Sequence, residues 1–246
     1  MSIYAIGDLH LSLENKVIPG EWDQVSQYKP MDCFGSKWDR HFEKIYKNWN
    51  KIVSDRDTVM IPGDISWAMK LKDIQYDFDF ISKLPGKKIL IKGNHDYWWG
   101  GISKVRSRLP ENTFALQYDS IKVEGVSIGG TRGWVLPSSN NEEFDEQDEK
   151  IYRREIMRLE MSLKSMENNN NQKLVMFHYM PVNERHEKNE FIELLIDYKV
   201  DTCVYGHLHG KESHKIRIAG EKWGINFQLV SADYLNFTPE LIYSQD

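Results

Sequence analysis

Asp8 and His10, Asp64, the run Asn94-His95-Asp96, His178, and His207 with His209 are the residues whose types and positions could do chemistry. Five of the eight histidines fall in this set. Carboxylates, a carboxamide oxygen and neutral imidazoles, with no thiolate among them, form a mixed oxygen and nitrogen donor set suited to manganese first, and also to iron, zinc or cobalt. Two such cations held about 3.5–4 Å apart need a shared carboxylate and can share a water, which then supplies hydroxide near neutral pH. Phosphoryl oxygens are fitting partners for such a pair, because the metals stabilise charge on both the attacking and the leaving oxygen. A proton donor for the leaving group must be a histidine outside the ligand set. Taken singly, each residue has a plainer explanation: a strand-end Asp caps a turn, and a lone His is a satisfied polar group. One metal centre explains all five positions together.

The elements that must bring these residues together are short apolar runs bounded by Gly, Asp or Pro: "SIYAIGD" (2–8), "DTVMIPGD" (57–64), "KKILIKGN" (87–94), "QKLVMFHY" (172–179) and "VDTCVYGH" (200–207). Continuous rather than alternating apolar residues predict strands covered on both faces. Each run carries its polar candidates at or just beyond its C-terminal end, which is the ligand-binding edge of an open α/β sheet. Helical spacing lies between the runs: 39–54 with Phe42, Ile45, Tyr46, Trp49 and Val53; 73–84 with Ile74, Phe78 and Ile81; 187–199 with Phe191, Leu194 and Leu195. Hairpins are expected at 120–134 and 214–231, around Glu-Gly and Gly-Glu-Lys-Trp-Gly turns, so the sheet content is mixed. The fold class is therefore α/β.

Length and composition narrow the function. A chain of 246 residues without a Gly-, Ser- or Pro-rich spacer is expected to form one domain over 1–246. An insert at 11–38 is too apolar for a linker, and is either a lid over the site or a packing flap. A charged helical excursion at 138–171, with Ile151, Ile156, Leu159 and Leu163, is expected to face solvent between flexible flanks. Lys plus Arg number 32 against 37 Asp plus Glu, a formal net charge of −5, which disfavours nucleic acid as a partner. Two cysteines, Cys33 and Cys203, make no disulfide framework. The start "MSIYAIGDLH" has neither a basic segment nor a long apolar one, and no run reaches the length of a membrane span, so a cytoplasmic protein with no membrane partner is expected.

The motifs "GDLH" (7–10), "GD" (63–64), "GNHD" (93–96), "FHYMP" around His178 and "GHLH" (206–209) resemble, in order and sequence, those of the calcineurin-like metallophosphoesterases. The resemblance runs through residue 209 and is closest to the bacterial phosphohydrolase branch. It implies two mixed sheets packed as a sandwich flanked by helices, with a dinuclear metal site at one edge. It further implies Asp8, His10 and His209 as ligands of one metal and Asn94, His178 and His207 as ligands of the other. Asp64 would bridge the two, and His95 would be the acid that protonates the leaving oxygen or contacts phosphate. Asp8 would also orient the attacking hydroxide. Serine/threonine protein phosphatases of this superfamily read "GDYVDRG" and "GNHE". Here Trp67 and Ala68 stand where their extra Asp and Arg would be, which argues against a protein phosphatase.

The expected activity is hydrolysis of a small phosphomonoester or phosphodiester, a nucleotide being one such substrate. A nuclease or cyclic-nucleotide phosphodiesterase is the alternative within the superfamily, and a non-catalytic metal-binding scaffold the alternative from another class. Arg132, whose planar fork suits phosphate oxygens, is the basic candidate for a substrate contact. Trp98 and Trp134 either stack a nucleobase or serve as wall and core.

Overall fold

The computed structural model describes residues 1–136, 144–166 and 171–245. Strands β1 (Ser2–Ala5), β2 (Thr58–Pro62), β3 (Lys87–Ile91), β4 (Thr113–Ala115), β5 (Ser120–Val123), β6 (Val126–Thr131), β7 (Lys173–Phe177), β8 (Thr202–Tyr205), β9 (Gly220–Lys222), β10 (Ile225–Leu229) and β11 (Glu240–Ser244) alternate with helices. The helices are α1 (His41–Ile52), α2 (Gln75–Ser82), α3 (Ile102–Arg106), α4 (Glu146–Lys164), α5 (Glu190–Asp197) and α6 (Gly210–Lys215). One sheet has the order β11-β1-β2-β3-β4, and the other β5-β6-β7-β8-β10-β9. In the first, β1 to β4 are parallel and β11 closes the edge antiparallel to β1. In the second, β6, β7, β8 and β10 are parallel, with β5 and β9 added by hairpins. Both sheets are mixed, as expected.

Side-chain parity along the strands sets the layers, because successive residues point to opposite faces. Met60 of β2, Ile89 and Ile91 of β3, Leu174 and Met176 of β7 and Val204 of β8 share one core between the sheets. Their neighbours turn outward: Val59, Ile61 and Leu90 meet Phe42, Ile45 and Trp49 of α1 and Phe78 and Ile81 of α2. On the other side Val175, Phe177, Cys203 and Tyr205 meet Leu159 and Leu163 of α4 and Phe191, Ile192 and Leu195 of α5. The result is four layers, helices, sheet, sheet, helices, and it explains why the central strands carry no polar alternation.

Three expectations need correction. The second hairpin is shorter than 214–231: it starts at Gly220, turns at Trp223-Gly224 with φ of 54° and 78°, and is preceded by α6. That pair of positive φ angles is the two-residue turn that matches strand twist. The helix in 138–171 does not simply face solvent. Asp145 caps its start, and Tyr152, Glu155, Leu159, Ser162 and Leu163 are buried on its sheet side. The flanks at 137–143 and 167–170 lie outside the described residues. Finally, β4 and β11 escaped the reading because "TFA" is three residues long and "ELIYS" is a largely exposed edge strand without an apolar run.

Candidate metal centre

Parallel strands end on the same edge, and backbone hydrogen bonds then tie the two sheets together there. Gly7 N–H donates to Val230 O at 2.7 Å and Ala232 N–H to Gly7 O at 3.1 Å, joining the end of β1 to the segment after β10. His10 N–H donates to Asp64 O at 2.9 Å, joining the loops after β1 and β2. Asp8, His10, Asp64 and His207 all have left-handed backbone, with φ of 57°, 45°, 50° and 70°. Such angles cost non-glycine residues about 1–3 kcal/mol each and persist where surrounding structure enforces them, most often at functional sites.

Two motif glycines are explained by what stands next to them. A Cβ on Gly93 would fall 2.1 Å from Asp64 Oδ1, and one on Gly206 would fall 2.5 Å from Asp8 Oδ2. The glycines of "GNHD" and "GHLH" therefore let each loop close onto a carboxylate from another strand. Asp64 Oδ1 accepts the His95 N–H at 2.8 Å, and Asp8 accepts the His207 N–H at 3.1 Å.

Asp8, His10 and His209 form one group able to chelate a cation, and Asp8, Asp64 and His178 a second. Asp64 Oδ2 lies 3.7 Å from His10 Nε2 and 3.5 Å from His178 Nε2, between the imidazoles of the two groups. Asn94 Oδ1 lies 2.5 Å from His178 Nε2 and 3.0 Å from His207 Nδ1. All seven residues proposed as ligands from the motifs thus converge, and His95 stands beside them, its ring 5.9 Å from that of His10.

The donors fit cations rather than one another. His178 Nδ1–H donates to Pro62 O at 3.0 Å, so its Nε2 carries the lone pair that faces Asn94 Oδ1, another acceptor. His209 Nδ1–H donates to Asp233 at 2.8 Å, which aims its Nε2 lone pair at His10 Nε2, 3.3 Å away. His10 Nδ1 is buried with no hydrogen-bond partner among the described residues. Electrostatics agree. Burial pushes the Asp8 carboxyl up to about 7 and the Asp64 carboxyl up to about 6. It drives the His178 and His207 imidazoles down to about 3 and about 2. Acids raised and bases lowered together report burial, which disfavours either charge and leaves the imidazole lone pairs open to a cation. His209 moves the other way: burial opposes its charge, but the hydrogen bond to Asp233 and the nearby Asp8 outweigh it and raise the pKa.

Asp96 holds the turn. Its buried carboxylate accepts from the N–H groups of Ile65, Ser66 and Gly93 and from the Trp98 indole. Trp98 is accordingly corrected: it is 2% exposed and packs on Phe78 and Trp99 in the core. Arg132 is half-buried, stacks 4.4 Å from the ring of Trp134, and lies close enough to Asp64 and His178 to act on their charge. Trp134 itself donates to Asp148 at 2.9 Å.

Sequence reading missed Asp233 and Trp38 as parts of the site. Asp233 follows β10 in "SADY" and has no motif of its own; its role appears only from the 2.8 Å contact to His209. Trp38 ends the 11–38 insert and meets the rings of His10 and His209 at 5.9 and 5.5 Å. The insert packs into the core and also borders the centre. Leu11, Leu13 and Val17 anchor it in the core, while Met31, Phe34 and Trp38, with Trp67, wall a cavity of about 340 Å³ over His10, His95 and His209. Trp67 also packs against His95, with ring centroids 4.3 Å apart.

A four-layer α/β sandwich with two His/Asp clusters at the strand ends defines a metallophosphoesterase-like class of protein. Residues 1–211 match the family of calcineurin-like phosphoesterases, and the chain belongs to it. It is also similar to the Gene 66 protein of Mycobacterium phage L5, 41% identical over 58 residues, which is 24% of this chain and 28% of that protein. The match thus spans little more than a quarter of that relative's length. Among solved structures, the protein of unknown function AQ665 from Aquifex aeolicus is similar with a TM-score of 0.48 at 16% identity, over 98% of this chain and 95% of that one. Among the described residues no helix is long and apolar enough to cross a membrane.

Proposed function

We propose that the protein is a dinuclear-metal phosphohydrolase acting on a small phosphomonoester or phosphodiester. The observation that carries this reading is the meeting of two chelating groups through Asp8, with Asp64 between their imidazoles and a histidine outside both groups alongside. Asp8, His10 and His209 would hold one cation and Asn94, His178 and His207 the other, with Asp64 shared. Two divalent cations supply Lewis acidity, lowering the pKa of water and taking up charge on phosphoryl oxygens; manganese suits the donors best.

The chain's own residues do the rest. Asp233 and the Pro62 carbonyl orient His209 and His178, fixing which nitrogen of each faces the centre. His95 gives the leaving oxygen its proton. Its Nδ1 is 3.4 Å from the Tyr97 hydroxyl, which leaves Nε2 for the transfer. Burial lowers the pKa of His95, and the Asp64 carboxylate offsets part of that shift. Met31, Phe34 and Trp38 give an apolar wall to the side where the ester substituent would lie.

The test is His95→Asn, assayed with p-nitrophenyl phosphate and bis(p-nitrophenyl) phosphate after manganese loading. Loss of general acid catalysis should lower kcat about 10²–10⁴-fold with metal content unchanged. Full activity in this variant would remove the acid role, and two bound metals without turnover on any phosphoester would favour the scaffold.

A further inference from the structure

Beside the metal centre lies a second cavity, of about 230 Å³, between the C-terminal ends of β3 and β6. Its charged lining is Lys92, Arg132, Arg154, Arg158 and Glu155. Four cations therefore face one carboxylate. Glu155 is buried and accepts from the Thr131 hydroxyl at 2.7 Å and from Arg158 at 2.8 Å, with Arg154 at 3.5 Å and Arg132 at 3.8 Å from Oε1. One carboxylate has few oxygen lone pairs, whereas three guanidinium groups offer about five N–H donors each. Donors are left over: the Arg132 Nε–H is buried with no partner among the described residues. Lys92 gives one of its N–H groups to Trp99 O at 2.9 Å.

The position of the cavity ties it to the reaction. Ile91 and Lys92 lead directly into Gly93-Asn94-His95, and Thr131 and Arg132 lead to the backbone that meets His178, whose N–H donates to Arg132 O at 3.1 Å. Arg132 thus stands between the metal centre and the other cations. The volume is below the roughly 300–1,000 Å³ of a pocket for a drug-sized ligand, so the cavity suits a compact anion rather than a base or a sugar. Surplus planar donors select phosphoryl oxygens over a simple carboxylate, since they can be engaged bidentately from several sides.

We propose that this cavity binds a second phosphoryl group of the substrate, so that the enzyme acts on small diphosphorylated compounds such as nucleoside diphosphates or pyrophosphate-linked diesters. The assignment rests on the phosphohydrolase reading for its chemistry, but the pocket can be tested without it. Glu155 holds the three arginines apart and ready, and the incoming phosphate takes the donors it leaves unused.

The first experiment is calorimetric titration of the metal-free full chain with inorganic pyrophosphate. One site is expected, weakened about tenfold or more by Arg154→Gln or by Arg158→Gln, as loss of a hydrogen bond between charged groups implies. Lys104→Gln, on exposed α3, is the control. Absent binding, or binding indifferent to both arginine substitutions in variants that melt at the wild-type temperature, overturns the pocket. The second experiment measures selectivity after manganese loading. The ratio of kcat/KM for ADP to that for p-nitrophenyl phosphate should fall about tenfold in either variant. A 5′-phosphorylated dinucleotide is the other source of two phosphates, and preference for it over ADP overturns the small-diphosphate assignment. Pyrophosphate binding through these arginines without any phosphoester turnover would sustain the pocket and refute the proposed function. Aryl phosphate turnover without pyrophosphate binding would refute the pocket alone.

Discussion

Gly93→Ala is the sharpest single-atom test of how the centre is built. The added Cβ would lie 2.1 Å from Asp64 Oδ1 and 2.2 Å from Asp64 N, where ordinary contact begins near 3.4 Å. Asp64 cannot yield by a rotamer change, because its backbone is as close as its carboxylate. The loops after β2 and β3 must therefore part by more than an ångström, and the 2.8 Å bond from His95 N–H to Asp64 Oδ1 is lost with that movement. Overpacking of this kind costs about 1–3 kcal/mol, and the hydrogen bond adds about 1 kcal/mol. For a domain of this size the sum corresponds to a fall in Tm of about 4–16 °C. Asn94 and His95 move with Gly93, and a 1 Å error in position costs on the order of 10²-fold in rate. Thermal melts should use metal-free protein, since bound metal would itself raise Tm; metal content by mass spectrometry and aryl phosphate hydrolysis complete the assay. Gly101→Ala, whose Cβ would meet nothing within 4 Å, is the matched control. If Gly93→Ala kept two metals per chain, wild-type turnover and a Tm within about 2 °C of wild type, the close approach of these loops would be wrong.

Asp233→Asn removes the charge that orients His209 and raises its pKa; metal affinity should fall about 10–100-fold in a manganese titration, and an unchanged affinity would show that Asp233 does not position His209. Asp77 is buried, accepts from Leu13 N–H at 2.9 Å and bonds the Ser66 hydroxyl, and burial raises its pKa to about 7. Because the folded value exceeds the ordinary carboxylate value of 3.8, its proton favours the fold: that contribution is complete below pH 3.8 and is lost as pH rises to 7. Asp77→Asn should therefore gain stability relative to wild type across this window, by up to about 4 kcal/mol, and parallel denaturant curves at both ends would refute it. Cys33 is exposed and Cys203 buried, with its thiol pKa raised by burial; one thiol per folded chain should react with Ellman's reagent and two in guanidinium, whereas two fast thiols in the native state would contradict the core assignment of Cys203.

The strands that carry the centre were legible because burial on both faces leaves a signature that needs no partner: "TVMIP" and "KLVMF" are buried at every position and apolar at all but the first. The ligands other than His178 were legible because each sits in a short motif that carries a glycine. Trp98 was misplaced for a complementary reason. An aromatic next to a motif reads the same whether it faces substrate or core, and only its bond to Asp96 decides.

The sequence by itself determined the donor set, its order along the strands and the family it resembles, since these depend on residue type and local spacing. Tertiary structure decided what lies around that set. Asp233 supports His209 from 24 residues away, and Trp38 joins His10 and His209 from the insert. Arg154 and Arg158 of α4 meet Lys92 and Arg132 only because that helix packs over the end of β6. Charges spaced along a helix are indistinguishable from a solvated face until a buried partner is known. Here that partner is Glu155, and no local pattern could have announced that a carboxylate at the middle of a charged helix would be buried.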